Sequence, residues 1–248
     1  MKKHLVLVVF LLSIGQCLSM AKAAEFKVLI YTEEFPPLNY MHAKDGVKGF
    51  ATEHVKKLMD TAGIDYDIQL TSWYRAYQLT LTTPNTLIYT LLRTPEREAL
   101  FHWYCPIGLP RQISLFKLAD DKALKLNQLK DAKPYILGVV RGDYPAEYLL
   151  SQGFKVNENL VFSTDDEANT RMLMSRRIDL IAQSEQAFYI RLAKMGFPKR
   201  KVTKVLKSID GRALEACLAL TKDSAPKLIT LLNNTFNTIK PHLERDLH

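Results

Sequence analysis

The sequence predicts an α/β protein. From residue 26 onward, short apolar runs that suit buried strands alternate with segments that have the periodicity of amphipathic helices. This alternation is typical of a mostly parallel sheet that helices cover on both faces. The chain has 248 residues, and the part after residue 23 is long enough for one large domain or for two lobes of about 100 residues each.

The first 23 residues have the pattern of a secretory signal peptide. A basic start, an apolar block at 5–12 and the A-x-A sequence Ala21-Lys22-Ala23 predict cleavage after Ala23 and a periplasmic protein. Cys17 would suit a lipoprotein, but Gln16 precedes it where such a site has a small residue, so we favour release as a soluble protein. No later apolar run is long enough to cross a membrane.

Charge and histidine spacing argue against nucleic acid and against a metal. Removal of residues 1–23 takes away three lysines and lowers the formal charge from +8 to +5. The densest basic cluster, at 199–207, is more typical of a solvated surface than of a nucleic-acid interface. The six histidines lie far apart, without H-x-x-x-H or C-x-x-C spacing, so we expect neither a metal site nor a cofactor.

The first predicted elements are a strand, a loop and a helix. The run at 26–31 is rich in strand formers, and the turn-prone segment T-E-E-F-P-P ends it. We expect Thr52 to cap the next helix, which Gly63 terminates. A second strand at 66–70 and a helix at 73–81 follow.

An apolar strand at 87–92 ends in a loop that carries two arginines. Pro95 cannot donate a hydrogen bond to a sheet, so the strand stops before it. In open α/β sheets, ligands bind at such strand ends. Arg93 and Arg97 offer planar charged groups that match a carboxylate or a phosphate. The alternative is that either arginine only pairs with a neighbouring glutamate on the surface.

The second half repeats the alternation of strand and helix. A strand at 113–118, a polar helix and a strand at 135–140 lead into a helix that Asp143 is placed to cap, with Pro145 in its first turn. The capping box at 164–167 opens a further helix. The remaining predicted elements are a strand at 177–183, a helix capped by Ser184, a strand at 216–221 and a last helix with a buried stripe of Leu228, Leu232, Phe236 and Ile239.

A family resemblance gives the arginine loop a more specific meaning. Thr94-Pro-Glu-Arg97, Phe101 and Cys105-Pro106 together resemble the pattern T-x-x-R … F-S-x-P-Y of periplasmic solute-binding proteins of the amino-acid-binding type, family 3. The resemblance implies that Arg97 clamps the α-carboxylate of a ligand, with Arg93 and Thr90 as further donors.

The same resemblance implies a type II periplasmic-binding-protein fold. One lobe would contain residues 24–108 and 215–248, the other residues 109–214, with two hinge crossings near 107–111 and 209–214. These crossings would lie close to Cys105 and Cys217. The two cysteines either form a disulfide or remain two small buried side chains.

The first loop carries a second point of resemblance. The segment T-E-E-F-P-P-L-N-Y is similar to the family pattern in which aromatic side chains stack over the ligand, which implies this role for Phe35 or Tyr40. Phe35 could instead fill the core of the lobe. Trp73 and Arg75 resemble the W-x-R-A-Y of a subgroup; Trp73 would add to the apolar wall, and Arg75 would face either the cleft or the solvent.

Two departures from the family pattern leave the ligand open. Asp143 stands where the family pattern G-x-x-x-G-T has threonine, so it either caps its helix or meets a positive group of the ligand. Ser184 stands where the pattern D-A-x-x-x-D has the aspartate that holds the ammonium of an amino acid. Glu185 is the neighbouring candidate for that role.

We therefore expect a monomeric periplasmic solute-binding protein without enzymatic activity. It would capture a small charged ligand, an amino acid or a related compound, between two lobes for an ABC-type permease or a sensor. The alternative is an enzyme on the same fold, since these lobes also resemble exported cyclohexadienyl dehydratases. Glu53, Asp143 or Glu185 would then supply the general acid or base.

Overall fold

The computed structural model describes residues 26–246, so the predicted signal peptide lies outside the described residues. The described chain forms two α/β lobes, each built on one open five-stranded sheet. A two-stranded hairpin packs on the first lobe. Within residues 26–246, no helix is both long and apolar enough to span a bilayer.

The first lobe contains both ends of the described range, residues 26 and 246. Its strands are β1 (Lys27–Thr32), β2 (Tyr40–His42), β3 (Gly46–Lys48), β4 (Asp65–Leu70), β5 (Thr86–Leu92), β6 (Phe101–Arg111) and β12 (Leu214–Thr221). Its helices are α1 (Phe50–Ala62), α2 (Trp73–Thr82) and α6 (Pro226–Asp246). The sheet order is β4-β1-β5-β12-β6, and β2 pairs with β3.

The second lobe is one continuous stretch of chain. Its strands are β7 (Ile113–Leu118), β8 (Leu137–Val140), β9 (Leu160–Ser163), β10 (Leu180–Ser184) and β11 (Val202–Leu206), in the order β11-β7-β10-β8-β9. Its helices are α3 (Tyr144–Ser151), α4 (Asp166–Met174) and α5 (Glu185–Lys194). The chain crosses between lobes at Gln112 and again at 207–213. The exact lobe boundaries given above remain predictions.

Both sheets are mixed, so the expected mostly parallel sheet is wrong. In the first lobe β1 pairs in parallel with β4 and β5, but β12 pairs antiparallel with β5 and β6. Because β6 leads out to the second lobe and β12 returns from it, these neighbours must run in opposite directions. In the second lobe β8 is parallel to β9 and β10, whereas β7 is antiparallel to β10 and β11.

The apolar cores lie on both faces of the sheets. In the first lobe α1 and α6 cover one face, and the predicted stripe of α6 is buried there as expected. Helix α2 covers the other face through Trp73, Ala76 and Tyr77. Burial of these side chains fixes the first sheet, and with it the strand ends that face the second lobe.

The caps of two helices differ from the prediction. Helix α1 begins at Phe50 after Gly49, while the hydroxyl of Thr52 donates to the carbonyl of Lys48 and contacts the hydroxyl of Tyr89 at 2.9 Å. The cap of α4 is Asp165, whose carboxylate accepts from the amide of Ala168. The polar helix expected after residue 118 is a single 3₁₀ turn at Leu129–Ala132.

A disulfide bond joins Cys105 and Cys217. The sulfur atoms are 2.06 Å apart and the Cα atoms 4.6 Å apart. The bond connects β6 with β12, which are neighbours in the first sheet. Of the two alternatives that the sequence leaves open, the disulfide is the one that forms, and it ties the outgoing strand to the returning strand.

Candidate functional site

A cavity lies between the lobes, where the carboxyl ends of several strands meet. The first lobe supplies residues after β1, at the start of α2 and at the end of β5, and the second lobe supplies the β8–α3 loop, α4 and β10. The lining residues are Glu33, Phe35, Trp73, Thr90, Leu92, Arg111, Ile113, Asp143, Pro145, Asp166, Ala182, Gln183 and Ser184. We call this space the central cavity.

The central cavity is nearly closed. Its free volume of about 20 Å³ has room for about one water molecule. A larger pocket of about 720 Å³ lies beside it on the side of the crossings and shares Arg111 and Ser184 with it. The two lobes therefore touch around a small space that widens toward the crossings.

Arg111 is the cation at the centre of this arrangement. It is the last residue of β6, and its guanidinium donates to the carbonyl of Thr90 at 2.8 Å and lies 4.6 Å from the centre of the Phe35 ring. Its Nε is buried and has no hydrogen-bond partner within the described chain. A buried donor without a partner favours an acceptor from outside the protein.

Three carboxylates face the central cavity, and one of them is already paired. Asp166 accepts from Arg191 at 2.9 Å and from Gln183 at 3.0 Å. Within residues 26–246, the side chains of Glu33 and Asp143 form no ion pair closer than 4 Å. Two carboxylates thus remain for a cationic group.

The acidities of these two carboxyls reflect their surroundings. Burial, together with the negative charges of Asp143 and Asp166, raises the pKa of Glu33 well above its ordinary value. Burial raises the pKa of Asp143 to about 6, although Arg97 and Arg111 act in the opposite direction. A cation placed between the two carboxylates would stabilise their charged forms.

Arg97 is buried at the boundary of the lobes but does not line the central cavity. Its side chain is in contact with Glu147 on α3, with a nitrogen–oxygen distance of 2.9 Å. It also donates to the carbonyls of Leu92 and Gly142, and its guanidinium lies 5.0 Å from the ring of Tyr77. It borders a separate side pocket of about 260 Å³.

The other residues named from the sequence divide into two groups. Five of them line the central cavity: Phe35, Trp73, Thr90, Asp143 and Ser184. Arg93 lies on the surface and pairs with Glu98 at 2.6 Å, which matches the alternative stated above. Tyr40 is in the hairpin strand β2, outside the cavity lining.

Asp143 caps its helix, as one of the two alternatives predicted, and a role toward the ligand stays a prediction. Its carboxylate accepts from the amide of Tyr144 at 2.7 Å at the start of α3, and it also faces the central cavity. Glu53 is exposed beside Lys56, and Glu185 pairs with Lys204 at 2.6 Å. Of the three acids considered for catalysis, only Asp143 lines the cavity.

Sequence reasoning missed five polar residues of this site: Glu33, Arg111, Asp166, Gln183 and Arg191. Glu33 directly follows the first strand, and Asp166 opens a helix. Both positions are strand or helix ends, so the rule that ligands bind at such ends could have marked them. Arg111 also ends a strand, but the sequence pattern does not predict that strand, and Arg191 lies inside α5.

Two lobes around a polar cavity define a two-lobed solute-binding protein. The family model for bacterial extracellular solute-binding proteins, family 3, matches residues 28–245. The chain belongs to this family.

Solved structures show the same fold at low sequence identity. A histidine kinase sensor domain with similarity to periplasmic binding proteins has a TM-score of 0.73 and 13% identity, over 90% of this chain and 96% of that one. A mutant of ArgBP from T. maritima has a TM-score of 0.72 and 14% identity, over 89% and 92%. The substrate-binding protein of an amino acid ABC transporter has a TM-score of 0.71 and 15% identity, over 89% and 96%. A comparison with curated proteins finds no match.

Proposed function

We propose that the protein captures a small zwitterionic solute, an amino acid or a related compound, in the central cavity. The observation that carries this proposal is the set of charges left unpaired there. Arg111 has a buried Nε without a partner, and within residues 26–246 Glu33 and Asp143 form no ion pair closer than 4 Å. The anionic group of the solute binds Arg111, and its ammonium group binds Glu33 and Asp143.

The remaining lining suits a small organic molecule. Phe35 and Trp73 provide apolar faces, and Thr90 and Ser184 provide hydroxyl groups. Because the closed cavity has a free volume of only about 20 Å³, the lobes separate at the two crossings to admit the solute and then close on it.

We further infer that a membrane permease or a sensor recognises the solute-bound protein in the periplasm. Among proteins of similar fold, one is a substrate-binding protein of an ABC transporter and another is a histidine kinase sensor domain. These two neighbours support a role in transport and a role in sensing, respectively. Uptake of the labelled solute by cells with and without this chain separates transport from sensing.

A thermal-shift screen tests the solute class. The protein is unfolded, freed of bound compounds, refolded and mixed with amino acids, polyamines, small peptides and organic acids. A solute at 100 times its dissociation constant stabilises the fold by ~2.7 kcal/mol. Polyamines and simple organic acids, which each lack one of the two charges, should give smaller shifts than amino acids. A screen in which no zwitterion raises the melting temperature contradicts the proposal.

A pair of arginine variants then tests the site. Arg111→Gln should abolish the shift that the best zwitterion gives, because it removes the proposed partner of the anionic group. Arg93→Gln makes the same chemical change at an arginine on the surface of the same lobe, and should leave the shift unchanged. An equal response of Arg111→Gln and the unmodified protein would reject this site.

One observation favours a second candidate function. A carboxyl with a pKa near 6 inside a cavity, as at Asp143, suits a general acid or base. An enzyme of the cyclohexadienyl dehydratase kind would convert prephenate, and absorbance measured during incubation with prephenate detects that turnover.

A further inference from the structure

Arg97 and Glu147 form an ion pair that joins the two lobes. Arg97 belongs to the first lobe, after β5, and Glu147 lies on α3 of the second lobe. Both Nε and Nη2 of Arg97 contact the same carboxylate oxygen, at 3.0 and 2.9 Å. The remaining contacts go to the carbonyls of Leu92 and Gly142, so each of the three guanidinium nitrogens has a partner.

The two partners differ in burial. The side chain of Arg97 is 2% exposed, whereas that of Glu147 is 38% exposed and borders the side pocket of about 260 Å³. An arginine that is buried to this degree needs a counter-ion, because an unpaired buried charge is strongly unfavourable. Glu147 supplies that counter-ion from the opposite lobe.

We propose that Glu147 is a built-in carboxylate that fills an anion site at Arg97, so that Arg97 holds the lobes together instead of binding the solute. One part of this proposal rests on the proposed function, namely that Arg111 binds the anionic group of the solute in place of Arg97. Asp143 lines the central cavity and lies close enough to Arg97 that, against the effect of burial, the positive charge of Arg97 lowers the pKa of its carboxyl group. Removal of Glu147 would therefore open a carboxylate site next to the cavity.

Other contacts follow the same boundary. The indole of Trp73 donates to the carbonyl of Gly142 at 2.9 Å, and Lys194 pairs with Glu34 at 3.1 Å with both side chains partly exposed. Gly142 thus accepts from Trp73 and from Arg97. The guanidinium of Arg141 also lies 5.8 Å from the ring of Tyr74. Exposed ion pairs contribute little, so among the ion pairs between the lobes we expect Arg97–Glu147 to contribute most to closure.

The distance between the lobes can be measured without any solute. Spin labels on Gln78→Cys of α2 and Gln152→Cys at the end of α3 report this distance by pulsed electron spin resonance, since both positions are exposed and lie on different lobes. The unmodified closed protein should give mainly one short distance. Glu147→Ala and Arg97→Gln should each raise the ratio of long to short distances by about tenfold.

Rescue by acetate distinguishes a carboxylate site from loss of packing. Acetate is the smallest carboxylate that can take the place of the missing side chain. Added acetate should restore the short distance in Glu147→Ala but not in Arg97→Gln, where the receptor itself is missing. Glu98→Gln, which breaks the Arg93–Glu98 pair within one lobe, is the matched control and should give the distances of the unmodified protein.

The outcomes separate this proposal from the proposed function. Distances that do not change in Glu147→Ala, or a change that acetate fails to reverse, would overturn the role of Glu147 whatever solute the protein binds. A negative solute screen together with acetate rescue would overturn the proposed function and leave the role of Glu147 in place.

Discussion

Arg97 and Arg111 both lie where the two lobes meet, but their partners differ. All three guanidinium nitrogens of Arg97 are occupied by groups of the protein, whereas Nε of Arg111 is buried without a partner among the described residues. A donor that is already satisfied gains little from a solute, while an unsatisfied one gains a full hydrogen bond. The residue contacts therefore favour Arg111 as the anion receptor.

The carboxyl of Asp143 gives a prediction for the pH dependence of stability. Burial raises its pKa from an ordinary 3.8 to about 6, so the folded protein holds this proton more tightly than the unfolded chain does. The stabilising contribution of this group is therefore complete below about pH 4 and is lost as the pH rises through 6. Asp143→Asn, which can still cap α3, should flatten this decrease.

Urea unfolding of the solute-free protein between pH 4 and pH 8 measures the effect. The control is Asp67→Asn, which removes an exposed carboxylate of the first lobe and should keep the pH profile of the unmodified protein. A profile for Asp143→Asn that decreases as steeply as that of the unmodified protein would show that Asp143 does not titrate in this range.

Residues of the site could be predicted from the sequence where they follow a strand or begin a helix. Trp73 begins α2 and Asp143 caps α3, and the structure places both at the cavity, where Thr90, which lies inside β5, joins them. Arg191 could not be found in this way, because it lies inside α5 and meets Asp166, 25 residues away in the chain, only in the folded second lobe. Arg111 ends β6, a strand that the apolar pattern does not predict. A contact between distant parts of the chain leaves no local pattern.

At the scale of elements, the apolar pattern predicted strands better than helix starts. The strand at Ile113–Leu118 has the predicted bounds because its run of buried residues ends abruptly on both sides. Strand β6 was missed, since Phe101–Arg111 mixes aromatic, polar and proline residues. The start of α1 depends on the close approach of the backbone at Gly49 to the backbone at Leu38, and capping preferences do not describe such a contact.

Gly49 is the residue that this approach requires. It has φ 127°, and a Cβ atom there would lie 2.3 Å from the carbonyl oxygen of Leu38. Gly49→Ala should therefore lower the free energy of unfolding by about 3 kcal/mol or more, since strain and a backbone clash add together. Thermal and urea unfolding measure this loss.

Gly46 provides the matched control for that substitution. It also has a positive φ of 71°, but a Cβ atom would find no neighbour within 4 Å. Gly46→Ala should cost only about 1–2 kcal/mol, the strain of the backbone conformation alone. Equal losses for the two variants would show that the contact with Leu38 does not determine the glycine at position 49.

The whole molecule combines a first lobe that a disulfide bond braces with a boundary between lobes that opens in the proposed function. The Cys105–Cys217 disulfide ties β6 to β12 beside the crossings, so the second lobe is attached through two strands that are fixed to each other. The loop that this bond closes spans 112 residues and contains the whole second lobe. Motion between the lobes is therefore confined to the two crossings and to the contacts across the cavity.

The family pattern and our proposal name different arginines as the receptor for the anionic group of the solute, Arg97 and Arg111, and calorimetric titration decides between them. With the best zwitterion from the screen, Arg111→Gln should weaken binding by about 100-fold, the loss expected for charged hydrogen bonds. Arg97→Gln should weaken binding by less than about tenfold, because the guanidinium of Arg97 is already paired with the carboxylate of Glu147. A 100-fold loss in Arg97→Gln with near-normal binding in Arg111→Gln would contradict the account.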